Sequence, residues 1–182
     1  KIRGLFSNYW EWNEVRELIS QLETILEGIR RNKSLWNKEL LNNMRMCSDI
    51  MIEGQNSVHD EGNLGIFLED WFMLYGEVFV ATKPSIEDKK QFIQSIIDWI
   101  NKDEFGFDSS YEKAFVGMCT CKEDVELIKN AYNAAQQKNS DDEIYPGDNN
   151  DEEEHYNALY LQLYNKIGMN DKYLEIAKTF GF

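Results

Sequence analysis

Helix breakers are scarce in this chain. Its 182 residues include two prolines, Pro84 and Pro146, so few positions lock φ or remove a backbone donor, and long stretches are free for helix. Cysteine is scarce too. Cys47, Cys119 and Cys121 make an odd and small set, which argues against a disulfide framework and makes a reducing cytoplasm the expected location. Positive charge is in deficit, with 19 basic against 33 acidic residues and a net charge of −14. That sign repels phosphate backbones and anionic headgroups, so neither nucleic acid nor a membrane surface is an expected partner. The most apolar stretch, Leu64–Ala81, is interrupted by Glu69, Asp70 and Glu77, and acids in the middle of a segment exclude a membrane span. Lys1–Trp10 has no apolar core of the leader type. A start at Lys1 in place of methionine is what a fragment of a longer protein would show. Gly-rich phosphate loops, H-E-x-x-H, G-x-S-x-G and basic aromatic patches are all missing.

What is present is helical periodicity. Hydrophobic residues make up 42% of the chain and aromatics 13%, enough for one domain over 1–182 with a bulky core. Trp12, Val15, Leu18, Ile19, Leu22, Ile25, Leu26 and Ile29 form one stripe, with Asn8 and Glu11 suited to its start. Ser34 is placed to cap a second helix carrying Trp36, Leu40, Leu41, Met44, Cys47 and Met51, and Gly54 to stop it. Gln55–Asn63 reads as a polar loop. Leu64–Ala81 is apolar nearly all round and belongs at the centre, packed on several sides. Its β-branched and aromatic end, Val78–Thr82, is the one candidate for extended chain, but no partner strand is evident. Ser85/Asp88, Ser109/Glu112 and Thr120/Glu123 have capping-box spacing before three further helices. Lys138–Asn150 is polar, acidic and contains Pro146-Gly147, as an exposed, disordered loop would. The expectation is an all-α fold of about eight helices in antiparallel hairpins, solenoid-like or an irregular bundle.

At the tail, Tyr156, Leu159, Tyr160, Leu163, Tyr164 and Ile167 share one helix face. Gly168 stops that helix, Asn170 is placed to cap the next, and Tyr173, Leu174, Ala177 and Phe180 form its stripe. Through Leu163, Tyr164, Gly168, Tyr173 and Ala177, the segment Ala158–Phe180 resembles one tetratricopeptide-type helical hairpin repeat. The resemblance implies a scaffold with a concave partner-binding surface and no catalysis. It also implies that the glycine lets the second helix approach and that Ala177 sits where the two helices cross.

Four clusters are candidate sites. Cys119-Thr120-Cys121 could share a soft metal, but a zinc site wants four ligands, and Cys47, His59 and His155 are all remote. Packing around a helix junction is the simpler role, and no metal or cofactor is expected. A helix N-terminus would lower the Cys121 thiol pKa, leaving a reactive thiol open. His59-Asp60-Glu61 could tune a general base, yet it lies in a polar loop where Asp60 or Asn63 better serves as a cap. Glu69 and Asp70, about 100° apart on a helix, could share a polar edge with Glu77, either as a thin solvent-facing stripe or as an acidic groove lining. Asp141, Asp142, Glu143, Asp148, Asp151, Glu152, Glu153 and Glu154 form an acidic run. It fails as a calcium loop because Ile144 and Pro146 fall where side-chain oxygens are needed.

The function this pattern favours is a non-enzymatic protein-interaction or scaffold module. Glu69, Asp70, Glu77, Glu152, Glu153 and Glu154 would meet a basic protein or peptide, with Tyr9, Trp10 and Tyr145 as aromatic contacts. The competing readings are an enzyme using Glu69, Asp70 or His59 as acid–base groups and an architectural domain of a larger protein. A closed apolar cavity with convergent polar groups would favour the enzyme, and an open face the binding module.

Overall fold

A computed structural model describes the chain apart from residues 1, 7–8, 12–13, 59–61, 104–105, 141–148 and 180–182. Side chains are not described at 56, 136–140, 149–157 and 179. The described residues are all-α. The helices are α1 (Ile2–Leu5), α2 (Val15–Arg31), α3 (Lys38–Gly54), α4 (Asn63–Ala81), α5 (Ile86–Ile100), α6 (Asp108–Tyr111), α7 (Lys113–Met118), α8 (Lys122–Ser140), α9 (Asn149–Lys166) and α10 (Asn170–Thr179). Eight of them are six residues or longer, while α1 and α6 are single turns. An isolated bridge between Trp10 and Val58 is the one extended pairing among the described residues. The Val78–Thr82 segment that could have been extended is helical as far as Ala81.

The chain is organised around α4, against which α2, α3, α6 and α7 all pack. An irregular bundle about one central helix is the result. Leu68, Trp71, Phe72, Leu74 and Val78 are almost wholly buried, as expected of a central helix, but the helix is not covered all round, since Ile66 is 70% exposed. The closest approach is between α4 and α7. A Cβ on Gly76 would collide with the Ala114 carbonyl and the Met118 amide, and one on Gly117 with the Met73 carbonyl. Glycine at both positions lets the two backbones touch. Aromatic rings fill the space around α4: Phe79 stacks on Phe92 of α5 at 4.1 Å, and Phe72 meets Tyr111 of α6 edge-on at 5.0 Å.

Helix ends follow some of the expected signals and depart from others. Ser85 and Asp88 form the expected capping box, with Asp88 N donating to Ser85 Oγ (3.2 Å) and Ser85 N to Asp88 Oδ2 (2.9 Å). The second helix starts later than Ser34 would place it. Asn37 Oδ1 caps α3 at Leu40 N (2.9 Å), and Trp36 stands before the helix and donates its indole N–H to the Ile29 carbonyl. Ser109 and Glu112 form no box: α6 starts at Asp108, and Glu112 is buried, accepting from the Tyr132 hydroxyl at 2.5 Å. At α8 the residue that reaches Thr120 is Asp124, not Glu123. Gly54 does end α3, but with φ −88 rather than a left-handed turn. Its lack of a side chain makes room for Phe6. Gln55 is buried against Tyr111 instead of lying in a solvated loop.

The tail forms the hairpin expected of it. Gly168 has φ +73, and Met169 N donates to the Tyr164 carbonyl while Gly168 N donates to that of Asn165, a Schellman stop. Leu159, Tyr160, Leu163 and Tyr164 are buried. The second stripe differs from expectation, because Ala177 is buried but Tyr173 and Leu174 are 38% and 49% exposed. The reason is that, among the described residues, α10 packs chiefly on α9. Of the segment 138–150, residues 138–140 end α8 and 149–150 open α9, while 141–148 lie outside the described residues.

Candidate functional site

The three acids of α4 do not form one unbroken acidic lining. Glu69 lies 3.4 Å from Lys113 of α7, Asp70 lies 3.2 Å from Arg30 of α2, and Glu77 lies 4.0 Å from Lys166 of α9. Their side chains are 47%, 60% and 40% exposed. Each sits where α4 meets a different neighbour, so each draws its own cation. Such half-solvated pairs contribute at most about 1 kcal/mol each. Asp70 borders a hollow of about 120 Å³ with Glu23, Asn63 and Phe67. That is well below the roughly 300–1,000 Å³ of small-molecule sites.

Glu152, Glu153 and Glu154 lie on the first half of α9, where only the backbone is described. Acids there complement the positive end of the helix dipole. His59, Asp60, Glu61 and Tyr145 fall outside the described residues, as do Asp141, Asp142, Glu143 and Asp148. Tyr9 is 59% exposed. Trp10 is half-buried and donates its indole N–H to the Leu5 carbonyl at 2.7 Å.

Cys119 ends α7, buried, and Cys121 stands just before α8, half-buried. Burial pushes the Cys119 thiol up to about 12, with the Asp124 charge adding to the effect. The thiol contacts the Cys121 carbonyl at 3.9 Å. Among the described residues no group of three or more His, Cys, Asp or Glu side chains could hold a metal ion. No helix among the described residues is long and apolar enough to cross a membrane.

Two carboxylates are buried where the sequence reading had Glu112 only as a cap partner and did not single out Asp124. Asp124 is 1% exposed. It takes the Lys89 ammonium on Oδ1 at 2.5 Å and both the amide and hydroxyl of Thr120 on Oδ2. Burial pushes its pKa up, but Lys89 and Thr120 outweigh burial and hold it below the usual carboxylate range. Glu112, 4% exposed, joins α8 through Tyr132. Both fasten helices to one another, which periodicity alone cannot disclose.

A third feature was also missed. Between α3, the end of α4 and α5 runs an open groove of about 360 Å³. Tyr75, Phe79 and Phe92 line it, with Lys38 and Arg45 from α3 and Asp88 from α5. The seven-residue spacing of Lys38 and Arg45 puts both on one face of α3, the only sequence signal it left. The chain matches no family model, no curated protein and no solved structure.

Proposed function

We propose that this chain is a non-catalytic protein-interaction module whose surplus negative charge recruits a basic segment of a protein partner. The observation that carries this is the setting of Glu69, Asp70 and Glu77. They stand half-exposed in ordinary surface ion pairs rather than converging in a closed apolar cavity. A general acid or base needs a desolvated setting that tunes it, and an electrostatic recruiting surface needs solvent-facing charge. A net charge of −14 supplies a long-range field that raises the encounter rate with cationic partners and weakens with salt. The α9–α10 hairpin, with Tyr173 and Leu174 on its outer side, supports a helical-repeat-like scaffold. The three cysteines, all free thiols, fit a reducing compartment such as the cytoplasm.

The test is a pull-down from the native host at low and high salt, followed by stopped-flow association with the captured basic partner. Charge reversal of Glu152, Glu153 and Glu154 to Lys is expected to slow association without unfolding the domain. An association rate indifferent both to salt and to that triple reversal would reduce the acidic surface to a solubility device.

A further inference from the structure

The groove between α3 and α5 has the parts of a ligand site, and they lie apart from the α4 acids. Its volume of about 360 Å³ falls within the roughly 300–1,000 Å³ typical of small-molecule sites. Its apolar floor is ordered by ring contacts. The Phe92 ring stacks on Phe79 at 4.1 Å and meets Tyr75 at 5.0 Å.

The polar groups around this floor are unequally satisfied. Asp88 is engaged by Ser85 in the α5 capping box. Asp49, whose charge also acts on Tyr75, accepts from the Trp99 indole at 3.0 Å. The donors are left over. Lys38 and Arg45, like Arg16, Lys33 and Lys129 elsewhere, make no ion pair with any described residue, and they are the two cations that line this groove. Lys38 is near enough to Asp88 to act on it through space, and Arg45 on Tyr75. The Tyr75 hydroxyl has no hydrogen-bond partner among the described residues. Tyr75 is only 2% exposed and lines the groove, and among the described residues no sealed side-chain N or O atom lacks a partner, so this hydroxyl opens onto the groove.

We propose that the groove binds a small organic carboxylate with an apolar body. The body lies on Phe79 and Phe92, and the carboxylate takes Arg45, Lys38 and the Tyr75 hydroxyl. A guanidinium offers a carboxylate two parallel N–H donors. Charge chooses between a small anion and an acidic protein segment. The −14 field repels a polyanionic chain far more than it repels one carboxylate.

Isothermal titration of the full chain with 2-naphthoate, with uncharged 2-naphthamide as the comparison, tests this. Naphthoate is expected to saturate one site and to bind about tenfold more tightly than the amide, and Arg45→Gln to lose about the same factor. Lys38→Gln should weaken binding by a smaller factor. Tyr75→Phe should weaken binding while leaving the thermal midpoint unchanged, because the hydroxyl holds nothing else in the fold. Lys172→Gln, outside the groove, should change nothing. Should Arg45→Gln fold poorly, Lys38→Gln and Tyr75→Phe decide the matter. Absence of saturable binding to the native chain, equal affinity for acid and amide, or indifference to the groove substitutions would overturn the proposal. So would a hydrophobic peptide with a free C-terminus that binds this groove more tightly than naphthoate.

Discussion

Gly76 and Gly117 are the residues with the least freedom to change. Each faces backbone atoms of the opposite helix inside contact distance, and backbone cannot rotate aside as a side chain can. Gly76→Ala gains helix propensity of about 1 kcal/mol but forces α4 and α7 apart. We expect a net loss of about 1–3 kcal/mol in urea denaturation. Gly28 in α2 has nothing within 4 Å of its missing Cβ, so Gly28→Ala should stabilise by about 0.5–1 kcal/mol. Asp124 is the other sensitive residue. Lys89→Met leaves a carboxylate 1% exposed with only Thr120 to hold it, and should cost about 3 kcal/mol. Replacing both partners by apolar residues should cost less. The folded Asp124 pKa lies below its ordinary value, so its stabilisation is complete above about pH 4 and is lost as pH falls through the folded value. Urea midpoints measured against pH should therefore drop in acid. Lys89→Met, which raises the folded pKa, should shrink that drop.

At the scale of the element, caps decide where helices begin. The Ser85–Asp88 box satisfies two N-terminal amides of α5, and Ser85→Ala should cost about 1 kcal/mol in thermal or chemical unfolding. Asp88 is held below the usual carboxylate range by the Ser85 amide and hydroxyl. Box spacing was legible here. At Thr120 no box forms, because Asp124, one residue further along, takes both its amide and its hydroxyl. The spacing also misled at Ser109, because Glu112 had a stronger claim on it from Tyr132. A local pattern names the residues able to cap a helix. Whether they do so depends on what else reaches them.

For the whole molecule, charge is the dominant number. Self-repulsion at −14 opposes compaction, and screening relieves it as the Debye length shortens to about 8 Å at 0.15 M salt. The unfolding midpoint should rise from low salt to physiological salt. A midpoint that falls would mean the surface ion pairs outweigh the repulsion. The same screening should slow recruitment of a basic partner, so stability and association rate should respond to salt in opposite directions.

By itself the sequence determined the all-α class, the central place of the Leu64–Ala81 helix and the glycine-stopped hairpin at the tail. Each is a matter of local periodicity or of one residue's backbone freedom, and both act within a few residues along the chain. Tertiary structure decided the rest. Glu69, Asp70 and Glu77 were parted by cations from three different helices. Asp124 and Glu112 were drawn inward by Lys89 and Tyr132. Lys38, Arg45, Tyr75 and Phe92, spread over three helices, came to line one groove. These are encounters between segments distant in sequence, and their geometry is set by how close two backbones can come, as at Gly76 and Gly117. No spacing along a single helix records that distance.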